Sequence, residues 1–148
     1  LQSDNPELIR KAREITAHCT NQLDMAVAIY DWVYRRVAKV PTVSLPSALD
    51  ILNDLRGDCN EHTYLFVALA RAAGLPAKIM VGLVYNEDAF YYHAWPAVHV
   101  GRWLEMDPTF GQPGVDATHL ALLEGELPNQ LKLMGMLGRL QVEIVSEE

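Results

Sequence analysis

Arg56-Gly57-Asp58-Cys59-Asn60-Glu61-His62 decides how this chain is read. Asp58 has the chemistry of a helix N-cap, and Glu61, three residues on, is the return half of a capping box. The run from Cys59 to Ala73 is good helix-forming material that then meets Gly74 and Pro76. Its apolar residues lie almost all round the cylinder, so the spacing predicts a helix buried on most faces. Cys59 falls in the first turn, where unpaired backbone N–H groups and the positive end of the dipole favour a thiolate. A cysteine there is either a nucleophile or an ordinary buried thiol, and the rest of the chain has to decide which.

Composition narrows the field. The 148 residues suffice for one domain with a real core, and half of them are apolar, which argues against disorder. A net charge of −7 with scattered basic residues argues against a nucleic-acid surface. No apolar run reaches the roughly 18 residues that spanning a membrane needs. The sequence opens Leu-Gln-Ser-Asp-Asn-Pro, with neither an initiator Met nor a signal peptide. The expectation is a single domain over residues 1–148, cut from a longer protein. Of the two cysteines, Cys19 fits the apolar stripe of a first helix, which makes a disulfide to Cys59 the lesser reading.

The first half reads as helical. Asn5-Pro6 starts a helix whose stripe is Leu8, Ala12, Ile15 and Cys19. A second helix carries Leu23, Val27, Tyr30, Tyr34 and Val37 on one stripe, with Trp32 as a core residue, and ends at Val40-Pro41. Residues 43–45 form a linker, and Pro46-Ser47 opens a short third helix. After Pro76 the period changes. Lys78 to Tyr85, Phe90 to Val98 and Trp103 to Asp107 read as strands. Asp116 or Thr118 caps a short helix through Leu123. Pro128 to Gly138 is either helix or loop, and Leu140 to Val145 a last strand. Helices followed by an antiparallel sheet give an α+β fold, with the Cys59 helix packed against the sheet.

The turn between the second and third strands determines whether a histidine meets an aspartate. A three-residue loop ending at Gly101 puts Val98 opposite Arg102 and His93 directly opposite Asp107, on one face. A two-residue Gly101-Arg102 turn instead puts Asp107 opposite Pro96, on the other face from His93. The first is favoured. Pro96 must sit at a bulge or look away from a neighbouring strand, because it has no N–H for a ladder. Cys59, His93 and Asp107 then make a nucleophile, a base and an orienting carboxylate, with the Cys59 N–H free to stabilise an oxyanion.

With these residues in place, the sequence resembles the transglutaminase-like superfamily, a branch of the papain-like cysteine hydrolases. The resemblance rests on Gly57 to His62, on Leu69 to Ala77, on His93-Ala94-Trp95 and on Trp103 to Thr109, blocks in the family's order at family-like spacings. It implies Cys59 as nucleophile, His93 as base and Asp107 as orienting acid. The match is to the compact bacterial form, so no cofactor and no calcium-dependent mechanism is implied. Compact members include proteases and protein-modifying enzymes, often continue N-terminally and belong to the cell envelope.

Other readings stand beside this one. Cys59 and His62 could be half a zinc site completed by His93 and Asp107. His99 and His119 read as surface or loop residues. Trp95 reads first as sheet packing and, sharing the His93 face, is the best candidate for lining a substrate groove, and Asn53, six residues before Cys59, is placed like the oxyanion glutamine of papain-type enzymes. The resulting expectation is a cysteine-dependent amide-bond enzyme acting on a protein or peptide. Peptide or isopeptide hydrolysis comes first and glutamine acyl transfer second. A non-catalytic protein-binding domain is the alternative of another class.

Overall fold

The computed structural model describes residues 2–41 and 47–125. The linker at 43–45, Pro46 and the expectations beyond residue 125, including the strand at 140–145, lie outside them. The elements in order are α1 (Pro6–Ile15), α2 (Gln22–Arg36), β1 (Ala38–Lys39), α3 (Ala48–Asp54), β2 (Arg56–Gly57) and α4 (Cys59–Ala72). They continue with β3 (Ala77–Asn86), β4 (Ala89–His99), β5 (Trp103–Glu105) and β6 (His119–Glu124). The fold is α+β, with a four-stranded antiparallel sheet in the order β5-β4-β3-β6.

Helix starts follow the side chains that cap them. Asn5, Asn21, Ser47 and Asp58 each accept a backbone N–H of the turn they open, and Ser47 and Asp58 complete capping boxes. Helix α4 is buried along nearly its whole length, from Glu61 to Thr63 and from Leu65 to Ala70. Ile79, Val81, Ala94 and Val98 of the sheet pack into the same core. An all-round apolar helix is stable only when covered on several sides, and here α1, α2, α3 and the sheet all contact it.

Four expectations are corrected. The buried face of α2 is Ala26, Ile29, Tyr30 and Val33, while Leu23, Val27 and Tyr34 are exposed and Trp32 is only half-buried. Residues after Arg36 leave the helix and form β1, which pairs in parallel with β2. The segment read as a helix through Leu123 is instead strand β6, antiparallel to β3 with a bulge between Val81 and Gly82. The β4–β5 loop is Val100-Gly101-Arg102, which places Val98 opposite Leu104 rather than Arg102.

That last shift is of two residues, so every side chain keeps its face. Continued along the ladder, Asp107 falls opposite Trp95 and diagonal to His93, still within side-chain reach. Pro96 explains why β5 is short. Its carbonyl accepts from the Met106 N–H at 3.1 Å, but it has nothing to donate in return, and β5 ends at Glu105.

Candidate active site

The site is assembled from the start of α4. Gly57 has φ +156°, and a Cβ there would stand 2.3 Å from the Glu61 Cβ. Only glycine lets Glu61 fold back, so that the Asp58 N–H donates to Glu61 Oε2 at 2.8 Å while Asp58 Oδ1 accepts from the Asn60 N–H at 2.9 Å. The cap fixes Cys59 as the first residue of the helix. Pairing of β1 with β2 brings Val40-Pro41 alongside Gly57, through a bond from the Val40 N–H to the Gly57 carbonyl at 3.0 Å.

Burial pushes the Cys59 thiol up to about 12; a hydrogen bond with the Ala94 backbone opposes this, and the charges of Asp58, Asp107 and Glu61 add to it. Burial and the neighbouring carboxylates thus oppose the thiolate that a helix start favours.

His93 is buried and donates from Nε2 to Asp107 Oδ2 at 2.7 Å. An ionised carboxylate only accepts, so Nε2 carries the hydrogen and Nδ1 is left as the acceptor. The Phe110 ring stacks on the imidazole at 4.5 Å, with 8° between the planes. Asp107 is fully buried; its Oδ1 accepts from the Thr109 and Phe110 N–H groups, each at 2.9 Å. Burial alone would raise its carboxyl, but the bonds from His119 and His93 hold it well below the usual carboxylate range.

Cys59 and His93 line one cleft of about 320 Å³, together with Asp58, Val40, Thr109 and Phe110. The Thr109 hydroxyl there is buried and has no hydrogen-bond partner among the described residues. Trp95 does not line this cleft. It is fully buried, and its indole N–H donates to Glu105 Oε1 at 2.8 Å, so it has the packing role. Asn53 is exposed near the end of α3 and is also absent from the cleft wall. His62 is buried with Nδ1 2.7 Å from the Asp58 carbonyl and Nε2 3.2 Å from that of Val37, which removes it from any zinc site with Cys59.

Three residues of the site were not legible in the sequence. Phe110 and Thr109 follow Pro108 in what reads as a loop. His119, expected at the surface, has its side chain buried and donates from Nε2 to Asp107 Oδ2 at 2.7 Å. His93, Asp107 and His119 are also the one group, among the described residues, whose donor atoms lie close enough to share a metal ion. Their hydrogen bonds to one another already satisfy these atoms.

A family profile described as the transglutaminase-like superfamily matches residues 9–108, which contain Cys59, His93 and Asp107. The chain belongs to the transglutaminase-like superfamily. An uncharacterised protein of Mycobacterium leprae (strain TN) is 29% identical to it over 93 residues, covering 56% of this chain and 33% of that protein. Among solved structures, a candidate cysteine protease from Cytophaga hutchinsonii superposes with a TM-score of 0.74 at 26% identity, covering 84% of this chain and 43% of that one. The periplasmic domain of TgpA from Pseudomonas aeruginosa superposes with a TM-score of 0.60 at 22% identity, covering 72% and 43%. This transglutaminase-like chain therefore spans less than half the length of these relatives.

Proposed function

We propose that this domain is a cysteine-dependent amide-bond enzyme in which Cys59 is the nucleophile, His93 the base and Asp107 the group that steers His93. The observation carrying this reading is that Cys59, at a helix start, and His93, bonded to Asp107, line the same cleft. Membership of the transglutaminase-like superfamily and the likeness to a candidate cysteine protease support it.

His93 Nδ1 takes the thiol proton, and the sulfur attacks the substrate carbonyl. The oxyanion forms beside the Cys59 N–H. The C–N bond then breaks, and the leaving amine takes the proton from the imidazolium. Water, or a second amine, loses a proton to His93 and attacks the thioester. The acid or new amide departs, and the thiol is restored. Asp107 stabilises the imidazolium in both halves.

Hydrolysis of a peptide or isopeptide amide is the first form of this reaction, and acyl transfer from glutamine to an amine the second. A panel of peptide and glutamine amides, assayed with and without a primary amine, separates them: amine found in the product means transfer. Iodoacetamide near neutral pH tests the mechanism itself. Cys59 is expected to react far faster than Cys19, and His93→Ala to remove that advantage. Equal, slow alkylation of both thiols would overturn the reading.

A further inference from the structure

Asp107 holds a second imidazole that the reaction above leaves without a role. His119 opens β6 and donates to Asp107 Oδ2 at 2.7 Å, the same oxygen and the same distance as His93. All three side chains are buried, at 4%, 0% and 1% exposure for His93, Asp107 and His119. A carboxylate supplies no hydrogen, so both Nε2 atoms donate. With Thr109 and Phe110 on Oδ1, the roughly four acceptor positions of the carboxylate are filled. It cannot turn without breaking a bond.

The far side of the His119 ring is held as well. Nδ1 lies 3.1 Å from Thr118 Oγ1, whose single hydrogen is within reach of both Nδ1 and Asp116 Oδ1. The Trp95 indole stands edge-on to the ring at 5.0 Å. Asp107 follows one outer strand of the sheet and His119 opens the other, so their bond ties both edges across the face that carries His93. The ladder ends before Asp107, and β6 supplies the constraint that β5 does not. The family match stops at residue 108, short of His119.

We propose that His119 is a positioning residue for the reaction proposed above: it pins Asp107 Oδ2 so that the carboxylate holds His93 in one orientation. The proposal rests on the catalytic reading of Cys59, and its test keeps the two apart. Cys59 alkylation by iodoacetamide is followed against pH by mass spectrometry, with Cys19 as internal reference, in the wild type, His119→Phe, His119→Gln and Asp107→Asn. Thermal melts check folding.

His119→Phe is expected to slow Cys59 about 10- to 100-fold, the loss of one charge-assisted hydrogen bond, and to change its pH profile as Asp107→Asn does. Cys19 stays unchanged, and His119→Gln, which keeps an N–H donor, returns most of the rate. A His119→Phe variant with the wild-type rate and profile, beside a fast, His93-dependent wild type, overturns the positioning role alone. A wild-type Cys59 no faster than Cys19 overturns the catalytic reading and this role with it. Should the Phe variant not fold, histidine-labelled wild type decides by NMR: a bare His119 Nε2 overturns the proposal, and a protonated, slowly exchanging one supports it. Stoichiometric metal in the purified protein, lost in His119→Gln, overturns it in favour of a metal site.

Discussion

The Thr63 hydroxyl donates to the Ala94 carbonyl at 3.1 Å, one turn after Cys59 on α4 and one residue after His93 on β4. Ala94 and Pro96 point their carbonyls to the same edge of β4, since residues two apart share an orientation. At Pro96 that carbonyl meets Met106; at Ala94 β5 has ended, and α4 takes its place. The bond thus sets the helix of Cys59 against the strand of His93. Thr63→Val keeps the shape and leaves the buried carbonyl unpaired, at a cost of about 1–3 kcal/mol. A lower melting temperature is expected, with Thr63→Ser close to wild type.

Asp58 gives a pH dependence of definite sign. Burial, with Glu61 beside it, raises its carboxyl to about 6. The folded value lies above the unfolded one of about 3.9, so the folded state binds more protons between them. Stability therefore falls as pH rises through this window. Asp58→Asn keeps a good N-cap and removes the charge. It is expected to raise the melting temperature above pH 6 and to have little effect below pH 4. Because Asp58 also raises the Cys59 thiol, the same variant should speed alkylation at neutral pH.

Asp107 has the opposite sign, its folded value being held below the ordinary one despite burial. Its stabilisation is complete above the unfolded value of about 3.9 and is lost as pH falls through the folded value. Melts of Asp107→Asn against wild type should show the largest deficit at pH 5–7, shrinking in stronger acid. Amide turnover should fall by about 10²–10⁴-fold.

Gly82→Ala tests how β6 is held. A Cβ at Gly82 would lie 1.9 Å from the Leu120 carbonyl oxygen, a backbone atom that cannot move aside alone. The strand pair must open at the bulge, at a cost of about 1–3 kcal/mol. Faster hydrogen exchange in residues 119–124 and slower Cys59 alkylation are expected together, because His119 moves with β6.

Thr109, in the cleft wall, carries a buried hydroxyl without a partner among the described residues. Thr109→Val removes a polar group that folding leaves unpaired, so stability should hold or rise slightly. If the hydroxyl meets the substrate, KM for a cleaved amide should rise several-fold with kcat little changed; an unchanged KM excludes that contact.

Much of the fold could be read locally because its signals are local. Asn5, Ser47 and Asp58 announce helix starts through bonds reaching only two or three residues, and the all-round apolar run of α4 announces its burial. Segment 119–124, His-Leu-Ala-Leu-Leu-Glu, reads as helix because it has no β-branched residue and good helix formers. Only its pairing with β3 makes it a strand. Helix α2 offers apolar residues on more than one side, and its packing partners select Ala26, Ile29, Tyr30 and Val33 among them.

The chain by itself determined the α+β order and the position of Cys59 at a capped helix start, and through Gly101 it favoured the turn that keeps His93 and Asp107 on one face. Those properties depend on side-chain period and on bonds between near neighbours. Tertiary structure alone decided the actual register, the burial that raises the Cys59 thiol and the meeting of His119 with Asp107. Burial and long-range pairing set these, and neither leaves a mark on residues close together in sequence.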